Sequence, residues 1–213
     1  MNLKGELKID PRETAVVVVD LQNGCCSPEG LLARVTGQDI SSITAMVQRI
    51  PGFLEEMRHR DIEIVWVRSD YWRGSVPKNV LEAETLVFGE FLNSAKRGTW
   101  GYEYFGPKPK KGEREFLKTH PSVFQNRNFE EYLNQSEIGT LLFTGVYTST
   151  CVFCSLVGAS ERGYRCVLVE DLTANWVEKE YETKATFSIT HGMLGFVLDS
   201  QKIIESIQKR EGN

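Results

Sequence analysis

The 213-residue sequence is long enough to bury one sizeable core, and we expect a single domain over residues 1–213. Lysine and arginine number 25 against 29 aspartates and glutamates, so the formal net charge of −4 argues against a nucleic acid or an anionic membrane as a partner. The N-terminal residues lack the apolar segment of a secretory signal, and no apolar run reaches the ~18 residues of a membrane span. The number of cysteines, five, is odd. We therefore expect a cytoplasmic protein without disulfides.

Strands and helices are predicted to alternate along the chain. Continuous apolar runs rich in β-branched residues predict buried strands at residues 14–22, 62–69, 139–147 and 165–172, and shorter runs add 114–119 and 195–200. Helical patterns between them cover residues 40–60, 129–135, 151–162, 179–191 and 200–210. Pro51 is expected to kink or divide the first helix. This alternation predicts an α/β fold with an open parallel sheet and right-handed crossovers.

Residues 70–113 do not follow this alternation. They are rich in glycine, proline and aromatic residues, as in "DYWRGSVP" and "KRGTWGYEYFGPKPKKGE". We interpret them as an elaborated connection near the functional face of the sheet and not as a separate domain.

Three side chains with useful chemistry follow predicted strands. Asp20 ends the first strand, Lys118 ends the run at 114–119, and Cys151 follows the strand at 139–147. Ligands of open α/β sheets bind beyond the carboxyl ends of the strands. Each residue alone has an ordinary explanation, as a capping carboxylate, a surface lysine or a small apolar cysteine. Together they are the base, cation and nucleophile that acyl transfer needs.

Three motifs in this order carry a resemblance to a known family. They are "VVVVDLQNG" around Asp20, "FLKTHPSVF" around Lys118 and "LLFTGVYTSTCV" ending beside Cys151. Over roughly residues 12–200 the sequence resembles the isochorismatase-like cysteine hydrolase superfamily. The resemblance implies a doubly wound, six-stranded parallel sheet with helices on both faces, a Rossmann-like three-layer α/β/α arrangement. It also implies a catalytic triad of Asp20, Lys118 and Cys151.

The spacing of Cys151 and Cys154 is also that of a redox pair or half of a zinc site. A redox pair usually lies near the N-terminus of a thioredoxin-like unit, whereas this pair follows the fourth strand. A structural zinc ion needs about four ligands, but the chain has only the histidines His59, His120 and His191 and scattered further cysteines. At the start of a helix, Cys151 would gain thiolate character from the helix dipole. We therefore interpret Cys151 as the nucleophile and Cys154 as a buried neighbour.

The resemblance and the chemistry imply hydrolysis of a small amide or ureido compound through a thioester, with release of ammonia or an amine. Asp20 would accept the thiol proton, Lys118 would stabilise the anionic pair, and the backbone N–H groups of Tyr147 and Cys151 would hold the oxyanion. The resemblance also implies a cis peptide bond between Val146 and Tyr147.

Further pocket residues are expected from chemistry alone. Gln22 would position groups near Asp20 or satisfy backbone in a turn. Aromatic side chains would suit a planar substrate, and the candidates are Tyr71, Trp72, Trp100, Tyr104, Phe124 and Tyr147. For each of these aromatic residues, a place in the core or at a subunit interface is an equally good explanation.

Two other classes stay open: a vinyl-ether hydrolase of the isochorismatase type, which would release pyruvate, and a catalytically silent binding protein. Family members that cleave the vinyl ether typically lack the cysteine, so Cys151 favours the amidohydrolase branch. Nicotinamidases of the metal-binding type carry an aspartate and two histidines after the second strand, whereas "RSDYWRGS" offers Asp70 and no histidine. We therefore expect no metal and no cofactor. The expected partners are a small-molecule substrate and further copies of the chain in a dimer or tetramer.

Overall fold

The computed structural model describes residues 5, 7–90 and 92–207. Its strands are β1 Thr14–Val19, β2 Glu63–Ser69, β3 Arg114–Lys118, β4 Thr140–Val146, β5 Arg165–Ala174 and β6 Phe196–Leu198. They form one six-stranded sheet in the order β3-β2-β1-β4-β5-β6, and every neighbouring pair is parallel. The predicted open parallel sheet is confirmed. Its winding direction reverses between β1 and β4, which is where ligands bind in this class of fold.

Eight α-helices connect and cover the strands in the described part of the chain. They are α1 Asn23–Cys26, α2 Leu31–Thr36, α3 Ser41–His59, α4 Lys78–Phe88, α5 Arg127–Gln135, α6 Phe153–Ser160, α7 Glu180–Thr190 and α8 Ser200–Ser206. The part of the predicted last helix beyond residue 207 lies outside the described residues. No helix that the structure describes combines the length and apolar character needed to cross a bilayer.

Two apolar layers lie on opposite faces of the sheet. Strand β1 is buried along its whole length. Val16 and Val18 belong to one layer, with the apolar face of α3, whereas Ala15, Val17 and Val19 belong to the other, with side chains of α5 and α6. A strand covered on both faces has no polar side to show, which explains why its sequence does not alternate.

Two features of the helices differ from expectation: Pro51 does not divide its helix, and one helix was missed. Helix α3 continues through Pro51 as one helix of 19 residues. Its buried face includes Ile50 and Leu54, and this tertiary packing outweighs the local cost of the proline. Within the connection at 70–113, α4 was not foreseen. It buries none of its residues and runs from Pro77 at its N-cap to Gly89, whose φ is 81°, so the glycine and proline around it hid a short surface helix.

Candidate active site

The three side chains singled out by their strand ends meet in the structure. Asp20 directly follows β1, Lys118 is the last residue of β3, and Cys151 lies in a π-helical turn, Thr148–Val152, that leads from β4 towards α6. The ammonium Nζ of Lys118 lies 2.7 Å from Oδ2 of Asp20 and 3.1 Å from Sγ of Cys151. The Lys118 and Asp20 side chains are only 1% and 4% exposed, so this ion pair is withdrawn from water.

Ser69, at the end of β2, completes the group. Lys118 Nζ donates to Ser69 Oγ at 2.9 Å, and Ser69 Oγ donates to Asp20 Oδ1 at 3.0 Å. The lysine therefore has three acceptors, in Asp20, Ser69 and Cys151, for its three N–H groups. Ser69 was not predicted from the sequence, although it is the last residue of a predicted strand. That strand, β2, lies between β1 and β3, so its carboxyl end points to the same edge of the sheet.

Gln22 holds Ser69 in place through its backbone. The side-chain Nε2 of Gln22 donates to the carbonyl oxygens of Ser69 at 2.9 Å and Tyr102 at 3.0 Å, and its Oε1 accepts from the Ser69 N–H at 2.9 Å. Gln22 is fully buried and does not line the cavity described below. Of its two expected roles, the structure shows the satisfaction of backbone groups.

The backbone turns sharply at Asp20. Its φ of 53° lies in the left-handed region, which residues other than glycine adopt at a cost of roughly 1–3 kcal/mol and mostly at functional sites. The Asp20 N–H still donates to Val67 O at 2.9 Å, and the Asp20 carbonyl accepts from the Gln22 N–H at 2.8 Å. These contacts hold the carboxylate beside Lys118.

The segment before Cys151 follows an equally constrained path. Gly145 has a φ of 104°, and a Cβ atom there would lie 2.0 Å from the carbonyl oxygen of Val19, so only glycine lets β4 approach β1 this closely. The peptide bond between Val146 and Tyr147 is cis, as predicted. The Tyr147 carbonyl then accepts hydrogen bonds from two N–H groups of the π-helical turn, at residues 150 and 152.

The protonation of the site differs from expectation at the thiol. Burial raises the pKa of Cys151 to about 12, while the charge of Lys118 acts in the opposite direction. The lowered pKa expected for a thiol at the start of a helix is therefore not found, and Lys118, the group that would lower it, is already paired with Asp20. Burial would lower the pKa of Lys118, but the charge of Asp20 outweighs it and raises that pKa. The resting site thus holds a neutral thiol beside a permanent ammonium.

A cavity of about 250 Å³ opens onto these residues. Asp20, Lys118 and Cys151 line it, as do two of the six predicted aromatic residues, Tyr71 and Tyr147. The Tyr147 ring packs 4.9 Å from that of Trp176, and its hydroxyl donates to the carbonyl oxygen of Cys25 at 2.9 Å. The lining residues that were not foreseen include Ser69, Glu84, Phe88, His120 and Trp176.

The other four predicted aromatic residues lie outside the lining of this cavity. Tyr104 packs edge-on against Trp66 with ring centroids 5.4 Å apart, and Phe124 is a core residue. Lys96 lies over the ring of Trp72, and Trp100 is 51% exposed. An aromatic residue in an irregular segment carries no periodic signal for the face it takes, which is why the sequence did not separate these positions.

The carboxylate of Asp70 is engaged within the protein. Its Oδ1 accepts from the Arg97 N–H at 3.0 Å, and its Oδ2 lies 3.4 Å from the Arg97 guanidinium. In the part of the chain that the structure describes, no three His, Cys, Asp or Glu side chains cluster as ligands of a metal ion would.

Comparison with known proteins places this site in a family. A model of the isochorismatase domain matches residues 14–202. A ureidoacrylate amidohydrolase from Caulobacter vibrioides is 30% identical over 183 residues, which cover 78% of this chain and 79% of that protein. The corresponding protein from Caulobacter segnis is 28% identical over 205 residues, 89% of this chain and 83% of its own length.

Solved structures share the fold. A cysteine hydrolase from Pseudomonas syringae pv. phaseolicola has a TM-score of 0.80 at 20% identity and covers 96% of this chain and 98% of its own. A nicotinamidase/pyrazinamidase from Bacillus subtilis has a TM-score of 0.71 at 18% identity, with 88% of this chain and 100% of its own covered. Because the domain model matches most of the sequence and the sheet order agrees with the resemblance, the chain belongs to the isochorismatase family.

Proposed function

We propose that the chain is a cysteine-dependent hydrolase that cleaves the C–N bond of a small amide or ureido compound through a thioester on Cys151. The observation that carries this proposal is the contact of Cys151 Sγ with Lys118, 3.1 Å away, at the wall of a cavity that Asp20 also lines. The relatives named ureidoacrylate amidohydrolase and the fold neighbour named nicotinamidase/pyrazinamidase support the amide or ureido bond as the target.

The nucleophile is formed only when substrate is present. Because burial keeps the Cys151 thiol neutral, its proton passes to the carboxylate of Asp20 as the sulfur bonds to the substrate carbonyl carbon. Lys118 keeps its own proton, since its pKa is raised. It therefore acts as a fixed cation that stabilises the carboxylate before the transfer and the developing sulfur charge during it.

The rest of the cycle restores the starting protonation state, with a proton from water replacing the thiol proton that leaves on the amine. The carbonyl oxygen becomes an oxyanion, for which the N–H groups of Tyr147 and Cys151 are the proposed donors. When the tetrahedral intermediate collapses, the C–N bond breaks, and Asp20 gives its proton to the departing nitrogen. Asp20 then takes a proton from a water molecule, the resulting hydroxide attacks the thioester, and that proton passes to the Cys151 sulfur as the acid leaves.

We also propose that the chain forms a single domain, assembles as a homo-oligomer and works in the cytoplasm. The family match over residues 14–202 supports a single domain. Three apolar side chains are largely exposed to solvent: Leu86 at 78%, Val87 at 73% and Met193 at 84%. Their exposure supports a homo-oligomer, a dimer or tetramer in which a second copy of the chain covers them. Light scattering that gives the mass of one 24.2 kDa chain would reject the oligomer.

All five cysteines are free thiols, which supports a location in the reducing cytoplasm.

The function is tested by screening ammonia release from small amides, ureas and hydroxamates. Cys151→Ala serves as the blank and Cys154→Ser as the matched control, because Cys154 is a thiol one helical turn further on that does not line the cavity. We expect at least one substrate whose turnover is lost in Cys151→Ala and largely kept in Cys154→Ser. Release of pyruvate from a vinyl ether in place of ammonia would favour the isochorismatase reaction, and no turnover in either assay would favour a binding protein.

A further inference from the structure

The cavity holds one acidic side chain that the proposed mechanism does not use. Asp20 and Lys118 line the cavity and pair with each other. Among the described residues, the remaining acidic side chain of the lining is that of Glu84 in α4. His120 also lines the cavity, and burial lowers its pKa, so its ring is neutral at neutral pH. No arginine and no second lysine of the described chain lines the cavity.

The carboxyl group of Glu84 is held in place but has an unmet acceptor. Its side chain interacts with the hydroxyl of Tyr71, which also lines the cavity, and with the backbone N–H of Leu92. Its Oε2 is buried from solvent and has no hydrogen-bond partner. Because Oε2 is closed to solvent, a ligand in the cavity meets Glu84 through the rest of its side chain and through its charge, which no unpaired cation among the described lining residues offsets.

The same arrangement disfavours a ligand that carries a carboxylate. The ammonium of Lys118 already donates to Asp20, Ser69 and Cys151, so it has no free N–H for a further anion. A carboxylate near Glu84 would also place two like charges in an enclosed space, which is strongly unfavourable without a cation between them.

We propose that Glu84 is a specificity-determining residue that places a negative charge beside the end of the substrate remote from the cleaved bond, and that the cavity thereby selects neutral or cationic amides over those that bear a carboxylate. This inference rests on the proposed amide hydrolysis and deepens it. It sets this chain apart from the compound in its relatives' name, since an acrylate is a carboxylate.

Three amides of equal length that differ only at the remote end test this inference. They are butanediamide, 4-aminobutanamide and the monoacid of butanediamide, which present an amide, an ammonium and a carboxylate. Each is assayed for ammonia release, and its Kd for the Cys151→Ala protein is measured by calorimetry. Burial raises the pKa of Glu84 to about 7, so both measurements are made at about pH 8, where the carboxylate is charged.

We expect kcat/KM and affinity to be at least about tenfold higher for the amide and the ammonium than for the carboxylate. Glu84→Gln should reduce the preference for the ammonium by about the same factor, because the substitution removes the charge and keeps the shape. Glu82→Gln, on the exposed side of the same helix, is the matched control and should leave both ratios unchanged.

The possible outcomes distinguish a failure of the Glu84 selectivity from a failure of the proposed amide hydrolysis. If Cys151-dependent ammonia release occurs but the carboxylate is preferred, or Glu84→Gln leaves the ratios as Glu82→Gln does, the inference is overturned and the hydrolase proposal stands. If no amide is turned over and none binds Cys151→Ala, both are overturned. If none is turned over but the amide and the ammonium bind, with the preference lost in Glu84→Gln, the selectivity stands and the hydrolase proposal fails.

Discussion

Replacing Lys118 by methionine should destabilise the protein strongly, because it leaves the carboxylate of Asp20 buried without its cation. Asp20 is 4% exposed and lies 2.7 Å from the ammonium. Without the ammonium, the carboxylate keeps the Ser69 hydroxyl as a hydrogen-bond donor but has no cation beside it. Removing one partner of a buried ion pair costs about 3–5 kcal/mol. We therefore expect the free energy of unfolding, measured in urea at neutral pH, to fall by about that amount.

A double-mutant cycle separates the charge from the packing. Asp20→Asn removes the carboxylate, so the double variant with Lys118→Met should lose about 3 kcal/mol less than the sum of the single losses. Lys184→Met is the control, since Lys184 pairs with Glu180 at 3.0 Å while both side chains are 71% exposed, and it should cost under about 0.5 kcal/mol. A loss in Lys118→Met no larger than in Lys184→Met would refute the reasoning.

Three further predictions follow from the same geometry. The rate of alkylation of Cys151 by iodoacetamide, followed by peptide mass, should rise without levelling off between about pH 7 and pH 10, because burial raises the pKa of Cys151 to about 12; a rate that is half-maximal near pH 8.5, the ordinary thiol pKa, and level by about pH 10 would contradict this. Gly145→Ala should lower the free energy of unfolding by more than about 3 kcal/mol, since its Cβ would lie 2.0 Å from Val19 O. Gly163→Ala, also at positive φ (85°) but with open space around it, should cost only about 1 kcal/mol. Ammonia release should survive exhaustive chelation, and loss of a stoichiometric metal together with activity would count against the proposed mechanism.

The strands and their order around the site were the most predictable part of the molecule. Runs such as "TAVVVV" have no polar face, so they belong in a sheet covered on both sides, and parallel strands bring their carboxyl ends to one edge. This geometry brought Asp20, Lys118 and Cys151 together from three distant parts of the chain. It also reaches Ser69, which sequence reasoning passed over because a serine at a strand end is so common.

What the sequence did not reveal depends on tertiary surroundings. Helix α4 buries none of its residues, so its sequence lacks the apolar stripe by which a helix is predicted. Glu84 was therefore not recognised as a cavity residue. The thiol pKa of Cys151 is set by burial against a lysine that is already paired, and neither effect can be read from neighbours in sequence. Trp100 and Tyr104 lie in an irregular segment, where composition does not say which side chains turn inward.

The central claim is that Cys151 forms the covalent intermediate, and mass spectrometry of the acid-quenched reaction tests it most directly. The native protein is mixed with the best amide from the screen, quenched during turnover, digested and compared with Cys151→Ala treated alike. We predict an added acyl mass on the peptide that contains Cys151 and Cys154, assigned to Cys151 by fragmentation and kept in Cys154→Ser. An acyl group on Cys154, or undiminished ammonia release by Cys151→Ala, would contradict the account.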